Sequence, residues 1–272
     1  MARELLHSIS SDLRLARELA DIADAVSMRA FHARDFGVYE KEDRTHVTDA
    51  DREVERVLRE RLDVARAGDG ILGEEYGAQG STRRQWIIDP IDGTANFMRG
   101  IPIWATLIAL AVDGVPEVGV VSAPALNRRW WGASGHGAYT DDDLADQNTA
   151  TDRRIHVSRI DDLAQASISY NSLKGWDEAG RLDQLVDLSR RVTRTRAVGE
   201  MWSYMLVAEG ALEVAGEFDL KPYDMAALEP IVVEAGGRFT SVDGEDGPWH
   251  GSAIATNGHL HDEVVALLRP SR

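Results

Sequence analysis

The chain has 272 residues, enough for one large domain or two modest ones, and its 43% hydrophobic content supports a core that folds alone. Its 46 Asp and Glu against 30 Lys and Arg give a formal charge of -16, which argues against a nucleic-acid or anionic-membrane surface and suits cation binding. The absence of cysteine excludes a disulfide framework, a thiolate nucleophile and a Cys-ligated metal site.

The opening stretch MARELLHSISSDLRLARELADIADAV carries acids throughout and lacks the apolar core of a signal peptide. No later run reaches membrane-spanning length, so a cytoplasmic protein is expected. Within the opening stretch Leu15, Leu19, Ile22 and Val26 recur at helical spacing, with Asp12 as the expected cap. After the polar YEKEDRTHVTDAD, a second amphipathic helix is predicted over residues 51–66, its buried stripe formed by Val54, Val57, Leu58 and Leu62.

The pattern then turns to short strands at GILGEE, QWIIDP, WATLIALAV, VPEVGVVSAP and RRWWGASGHGAYT, with Asp113-Gly114 as a hairpin turn. Trp130 and Trp131 are expected to divide between the core and surface of one strand, or to support a subunit contact. DDDLADQNTATDRR separates two halves. Beyond it, strands are predicted at RIHVS, ASISYNS, LEVAGEF, RFTSV and SAIATN, and helices near 179–191, 200–209 and 224–235 and at the C-terminus. This order suggests layered α and β structure rather than an alternating barrel.

WIIDPIDGTANF carries the strongest chemical signal. Trp86 to Ile88 is an apolar strand, and two carboxylates at its exit are costly unless a cation meets them. Pro90 and Gly93 favour a turn that frees the Ile91 carbonyl as a hard oxygen ligand beside Asp89 and Asp92. A helix starting at Thr94 would offer its amides to an anion, whereas the plain alternative makes Asp92 a helix cap. Glu74 and Glu75 in LGEEYG, Asp49 and Asp51 in HVTDAD, and Asp224 in KPYDMAALEPIVVEAGGRF add acids at other element ends. Capping is the ordinary role for Asp51 and Asp224 taken singly.

In this order and spacing, GEE, WIIDPIDGT and YDMAA resemble the magnesium-dependent inositol monophosphatase family across nearly the whole chain. The resemblance implies a layered α/β/α/β/α sandwich of the α+β class, one domain over residues 1–272 with subregions near 1–145 and 146–272. It implies metal ligands at Glu74, Asp89, the Ile91 carbonyl, Asp92 and Asp224. Glu74, Thr94 and Asp51 would be catalytic, the last two orienting the attacking water, while Gly93 and Thr94 amides hold phosphate. Tyr223 stands where the family usually has tryptophan, and Ala95 follows the threonine where many relatives carry lysine or threonine.

The hard oxygen set favours two or three Mg²⁺ ions, with Mn²⁺ as the alternative, and in-line hydrolysis of a phosphate monoester without a phosphoenzyme. A haloacid-dehalogenase mechanism at Asp49-Ala50-Asp51 is disfavoured, since such a pair should leave an apolar strand and the preceding YEKEDRTHV is polar; GASGHG lacks the frame of a nucleophile elbow. NFMRGIPIWATLIAL, VVSAPALNRRWWGASGHGAY, SYNSLKGW and WSYMLVAEGALEVA resemble the histidinol-phosphate phosphatases of this family. Glu217, Glu200, Asn171 and Asp92 are then the substrate-binding candidates, with Trp104 and Trp202 as aromatic alternatives. The rival readings are an inositol or broad sugar-phosphate phosphatase, and a noncatalytic partner of the transcription machinery. A homodimer acting on a small molecule is expected by analogy. Residues 39–48, polar and containing Lys41, suit either a segment that closes over the metals or an ordinary flexible loop.

Overall fold

The computed structural model describes residues 8–40, 46–141 and 152–270. α1 (Ile9–Ala33) buries the predicted stripe, with Leu15 and Leu19 in the core and Ile22 and Val26 packed beside them. Its cap is Ser8, whose side chain accepts from the Ser11 amide, and not Asp12. Asp12 lies inside the helix and is fully buried, paired with Arg66 at 3.0 Å and Arg84 at 3.0 Å. Asp12→Ala is therefore expected to cost about 3 kcal/mol in a denaturant titration, since two largely buried guanidinium groups lose their shared partner. A loss below about 1 kcal/mol, the value of an exposed pair, would show that Arg84 is served well enough by Asp69.

β1 (Val38–Glu40) and β2 (His46–Thr48) form an antiparallel pair. The centre of the predicted closing segment, residues 41–45 with Lys41, lies outside the described residues. α2 (Asp49–Ala65) starts earlier than expected because Thr48 caps it, its side chain accepting from the Ala50 and Asp51 amides. Asp51 is the third helical residue rather than the cap, and its carboxylate accepts from the Thr48 amide at 2.8 Å, completing a capping box.

β3 (Gly70–Gly73), β4 (Gly77–Gln79) and β5 (Arg84–Asp92) lead into the short α3 (Thr94–Arg99). β6 (Ala105–Val112), β7 (Val115–Ala123), β8 (Arg128–Ala133), β9 (Gly137–Asp141) and β10 (Arg153–Arg154) follow. Among the described residues these strands form one sheet in the order β10-β9-β8-β7-β6-β5-β3-β4, antiparallel except where β3 runs parallel to β5. Asp113 (φ 50°) and Gly114 (φ 85°) make the predicted two-residue turn, both in the left-handed region such a turn requires.

RRWWGASGHGAYT is two strands rather than one, because the chain reverses where the amides of Gly135 and Gly137 both donate to the Glu234 carboxylate. Trp130 and Trp131 are both buried, on opposite faces of β8, so neither lies at the surface. Only the start of the predicted RIHVS strand is extended in a ladder, as β10.

The second half adds β11 (Ser167–Ser169), α4 (Leu173–Glu178), α5 (Leu182–Ser189), β12 (Arg194–Arg196) and α6 (Glu200–Ala208). β13 (Val214–Phe218), α7 (Pro222–Met225), α8 (Leu228–Glu234), β14 (Arg238–Thr240), β15 (Ser252–Thr256) and α9 (His261–Leu268) complete it. The helix predicted over 179–191 starts later, as α5 at Leu182, because Gly180 at φ 67° breaks the helical path before it, and α4 ahead of that turn is unforeseen. The helix predicted over 224–235 is broken between Met225 and Leu228, because Pro230 has no amide to donate and its ring crowds the carbonyl one turn back. The second sheet has the order β12-β11-β13-β15-β14.

Alternation within the strands builds the layers. Trp86, Ile88, Ile108 and Leu110 pack outward with α1 and α2, while Ile87, Leu107 and Ala109 face α6 and α8. Ala215 and Ala255 of the second sheet close that middle layer, and Val214 and Ile254 turn to α5 and α9. The result is helix, sheet, helix, sheet, helix. α8 lies directly on the first sheet: a Cβ at Gly119 would stand 2.1 Å from the Ala227 carbonyl oxygen, and one at Gly132 would stand 2.8 Å from Ile231 Cα.

Candidate active site

The exit of β5, the turn after β3 and the start of α7 converge on one cavity of about 280 Å³. Glu74, Asp89, Ile91, Asp92, Gly93, Thr94 and Asp224 line it, together with Ala95 and His46. All the predicted metal-ligand positions thus meet in one place. Glu75 is not among these lining residues; its amide is held by Glu55 at 2.7 Å. Glu55, itself bonded to Arg59 at 2.7 Å, also accepts from Tyr76, and the Glu74 amide donates to the Ile88 carbonyl at 3.2 Å. The turn that presents Glu74 is therefore fixed from both sides.

Asp89 is 2% exposed and its Oδ1 accepts from the Ile91 amide at 3.0 Å. Asp92 does not cap α3. Gly93 occupies the cap position without a side-chain bond, and Asp92 Oδ2 instead accepts from the Met201 amide at 2.9 Å, tying β5 to the start of α6. Asp224 Oδ2 accepts from the Lys221 amide at 2.7 Å as the third residue of α7, so its role as a local cap partner coexists with its place in the cavity.

Burial and the charges of Glu74 and Asp92 hold Asp89 well above the ordinary carboxylate range, and burial with the charge of Glu200 does the same for Asp92. Burial raises Asp224 to about 7 against the bond from Lys221. Among the described residues no Arg or Lys side chain pairs with Asp89, Asp92 or Asp224, and no three His, Cys, Asp or Glu side chains are drawn into closed ligating geometry. The fit to a cation rests on the donor set: hard carboxylate and carbonyl oxygens whose mutual repulsion a hard divalent ion would offset.

Beside these acids, Thr94 Oγ1 stands 3.2 Å from Asp51 Oδ1 and 3.1 Å from the Ile91 carbonyl oxygen. Its single proton serves one acceptor at a time. Thr94 also lines the cavity, so donation to Asp51 leaves its oxygen free to accept there. Asp51 is fully buried, and burial lifts it to about 6 against the bonds from Thr48.

A second group of acids forms the wall next to Asp92. Asn171 and Glu200 are held in the left-handed region, at φ 48° and φ 49°. Asn171 Nδ2 donates to Glu217 Oε1 at 2.6 Å and to the Glu200 carbonyl at 3.3 Å, and Asn96 Nδ2 donates to Glu200 Oε1 at 3.1 Å. Burial raises Glu200 and lifts Glu217 to about 8. Trp104 is core, packed edge-on against Phe97, and Trp202 packs against the middle layer.

Sequence reasoning missed three participants. His46 lies at a strand edge beside a polar run and carries no local signal. Asn96 is two residues past Thr94 in a short helix. Tyr204, which donates to Glu217 at 3.0 Å, is one turn after Glu200 on α6, a spacing that could have exposed it. A larger cavity of about 1010 Å³ lies between α1 and β8–β9, but its Asp21 and Asp24 are paired with Arg129 and its Asp152 with Arg17, so it lacks uncompensated ligands.

The chain is 51% identical over 261 residues to a histidinol-phosphatase of Streptomyces coelicolor, covering 94% of this chain and 96% of the relative. It is 53% identical over 258 residues to a histidinol-phosphatase of Mycobacterium tuberculosis, covering 94% and 97%. The fold superposes on the extragenic suppressor protein suhB of Bartonella henselae with a TM-score of 0.84 at 28% identity, covering 96% and 99% of the two chains. With the profile of the inositol monophosphatase family matching residues 9–272, the chain belongs to that family.

Proposed function

We propose that this protein hydrolyses L-histidinol phosphate to L-histidinol and phosphate, using Mg²⁺ held by Glu74, Asp89, the Ile91 carbonyl, Asp92 and Asp224. The observation that carries the substrate is the leaving-group wall. Glu200 and Glu217 are held by Asn96, Asn171 and Tyr204, all uncharged donors, and neither acid has an ion-pair partner among the described residues. A neutral polyol gives these buried acids no reason to ionise, whereas an alcohol carrying ammonium and imidazole groups supplies the cation that stabilises their charged form.

When bound, Mg²⁺, with Mn²⁺ as an alternative and two or three ions as the expected number, supplies the positive charge that stabilises phosphoryl transfer. The chain's own groups do the positioning. Asp51 holds the Thr94 hydroxyl, whose lone pair orients the attacking water, and Glu74 is the acceptor for its proton. Amides of Gly93 and Thr94 at the start of α3 hold phosphate oxygens. Asp92 contributes to both metal and substrate through its two oxygens. A cytoplasmic homodimer with no nucleic-acid or membrane partner belongs to the same reading, by family analogy.

Phosphate release in Mg²⁺ from L-histidinol phosphate, inositol 1-phosphate and fructose 1,6-bisphosphate tests the substrate. Wild-type protein is expected to prefer histidinol phosphate. Glu217→Gln is expected to raise its KM by about tenfold or more, the effect of losing a charged contact, without a matching rise for inositol 1-phosphate. Preference of the wild type for inositol 1-phosphate would overturn the substrate and leave the metal chemistry standing.

A further inference from the structure

We infer that Tyr204 is a positioning residue that fixes which oxygen of Glu217 meets the leaving group; the inference rests on the leaving-group role proposed above for Glu217. Tyr204 is 1% exposed, in the middle layer among residues of α6 and α8 and against Phe239. An aromatic ring there needs only apolar neighbours. Its hydroxyl is the exception: a buried phenol without a partner is costly, and this one reaches across to β13 and donates to Glu217 Oε1 at 3.0 Å.

Asn171 Nδ2 donates to that same Oε1 at 2.6 Å, from β11's end on the other side. Two donors from separate elements therefore converge on one oxygen. Among the described residues Oε2 receives no protein donor, and it is not a buried orphan. The carboxylate is thus divided: one oxygen belongs to the scaffold and the other is left for a ligand. A carboxylate held at one oxygen by two fixed donors cannot rotate freely about its last torsion, so the free oxygen has a defined direction before substrate arrives.

Asn171 is anchored in turn, since its Oδ1 accepts from the Gly199 amide at 3.3 Å and from Ser169 Oγ at 3.2 Å. The Tyr204 hydroxyl bonds Glu217 alone, and α6 carries it one turn from Glu200. Burial beside these acids also keeps the phenol protonated, so the proton it donates to Glu217 is retained. Tyr204 touches no reacting atom. Its effect is transmitted through Glu217, which separates it from an ordinary core aromatic.

The test uses Tyr204→Phe, Glu217→Gln and the double variant, each with Mg²⁺, measuring kcat, KM and product inhibition. Tyr204→Phe keeps the ring and deletes one oxygen. It is expected to raise the KM for L-histidinol phosphate and the inhibition constant of L-histidinol by about tenfold, with a much smaller change in kcat. The inhibition constant of inorganic phosphate should stay within about twofold, because phosphate binds away from this wall. In the Glu217→Gln background the same deletion should have less than about half its single-variant effect on KM, since the residue it acts through is already neutral.

An unchanged KM, a full additive effect in the double variant, or a parallel loss of kcat and phosphate affinity would overturn the positioning role and leave Tyr204 as packing. Should wild-type protein turn over only polyol phosphates, the substrate proposal falls on that arm alone. Tyr204 is then judged by the same KM, kcat and additivity comparison on the best ester.

Discussion

Asp89→Asn is expected to lower kcat/KM by about a thousand-fold or more, the scale on which a metal ion's charge stabilises phosphoryl transfer, while the protein stays folded. Asp89 is almost wholly buried and faces Glu74, Asp92, Asp224 and Asp51. Its charge is tolerable only with a cation beside it. Asparagine has nearly the same shape and no charge, so in EDTA at pH 8 the variant should melt at a higher temperature than wild type. Added Mg²⁺ should then stabilise wild type and do little for the variant. Retained Mg²⁺-dependent turnover, or equal Mg²⁺ shifts in both proteins, would remove Asp89 from the metal site.

The second large effect is the pH dependence of that Mg²⁺ shift. Burial lifts Asp51 to about 6, Asp224 to about 7 and Glu217 to about 8, all above unfolded carboxylates. Between those values and the ordinary range the folded chain holds more protons than the unfolded chain, so stability falls as pH rises. The contribution is fully present below the unfolded pKa and is lost as pH passes through the folded values. In EDTA the melting temperature should therefore drop between about pH 5 and pH 8, with a loss on the order of a few kcal/mol. Mg²⁺ held by ionised Asp224 and its proposed fellow ligands would offset part of that loss, so its stabilisation should be larger at pH 8 than at pH 5. A metal-free melting temperature flat across this range, or equal Mg²⁺ gains at both ends, would contradict the assignment.

What is legible in the sequence is local. The run Trp86 to Ile88 is apolar at every position because helices cover both faces of its strand, and the acids beyond it stand out against that run. The same locality serves GEE and YDMAA. Asp12 defeats a local reading because a helix start followed by an acid looks like a cap, while the arginines that explain it are 54 and 72 residues away. Pro230 carries the signal for the break between α7 and α8, but the apolar run around it reads as one helix. Tyr204 is hidden in another way: WSYMLVA reads as core, and the ring is core, yet its hydroxyl answers to a carboxylate 13 residues on.

The contact of α8 with Gly119 and Gly132 has a genetic consequence. Asp224 enters the cavity from the short helix just before α8, and α8 rests on the bare backbone of β7 and β8 with no side chain between them. A single methyl at either glycine would wedge the layers apart and shift the frame that carries Asp224. Alanine at either of these two positions, which take no part in the chemistry, is therefore expected to reproduce the activity loss of a change at Asp224 itself: the active site extends to wherever its alignment is set, including places defined by an atom that is missing.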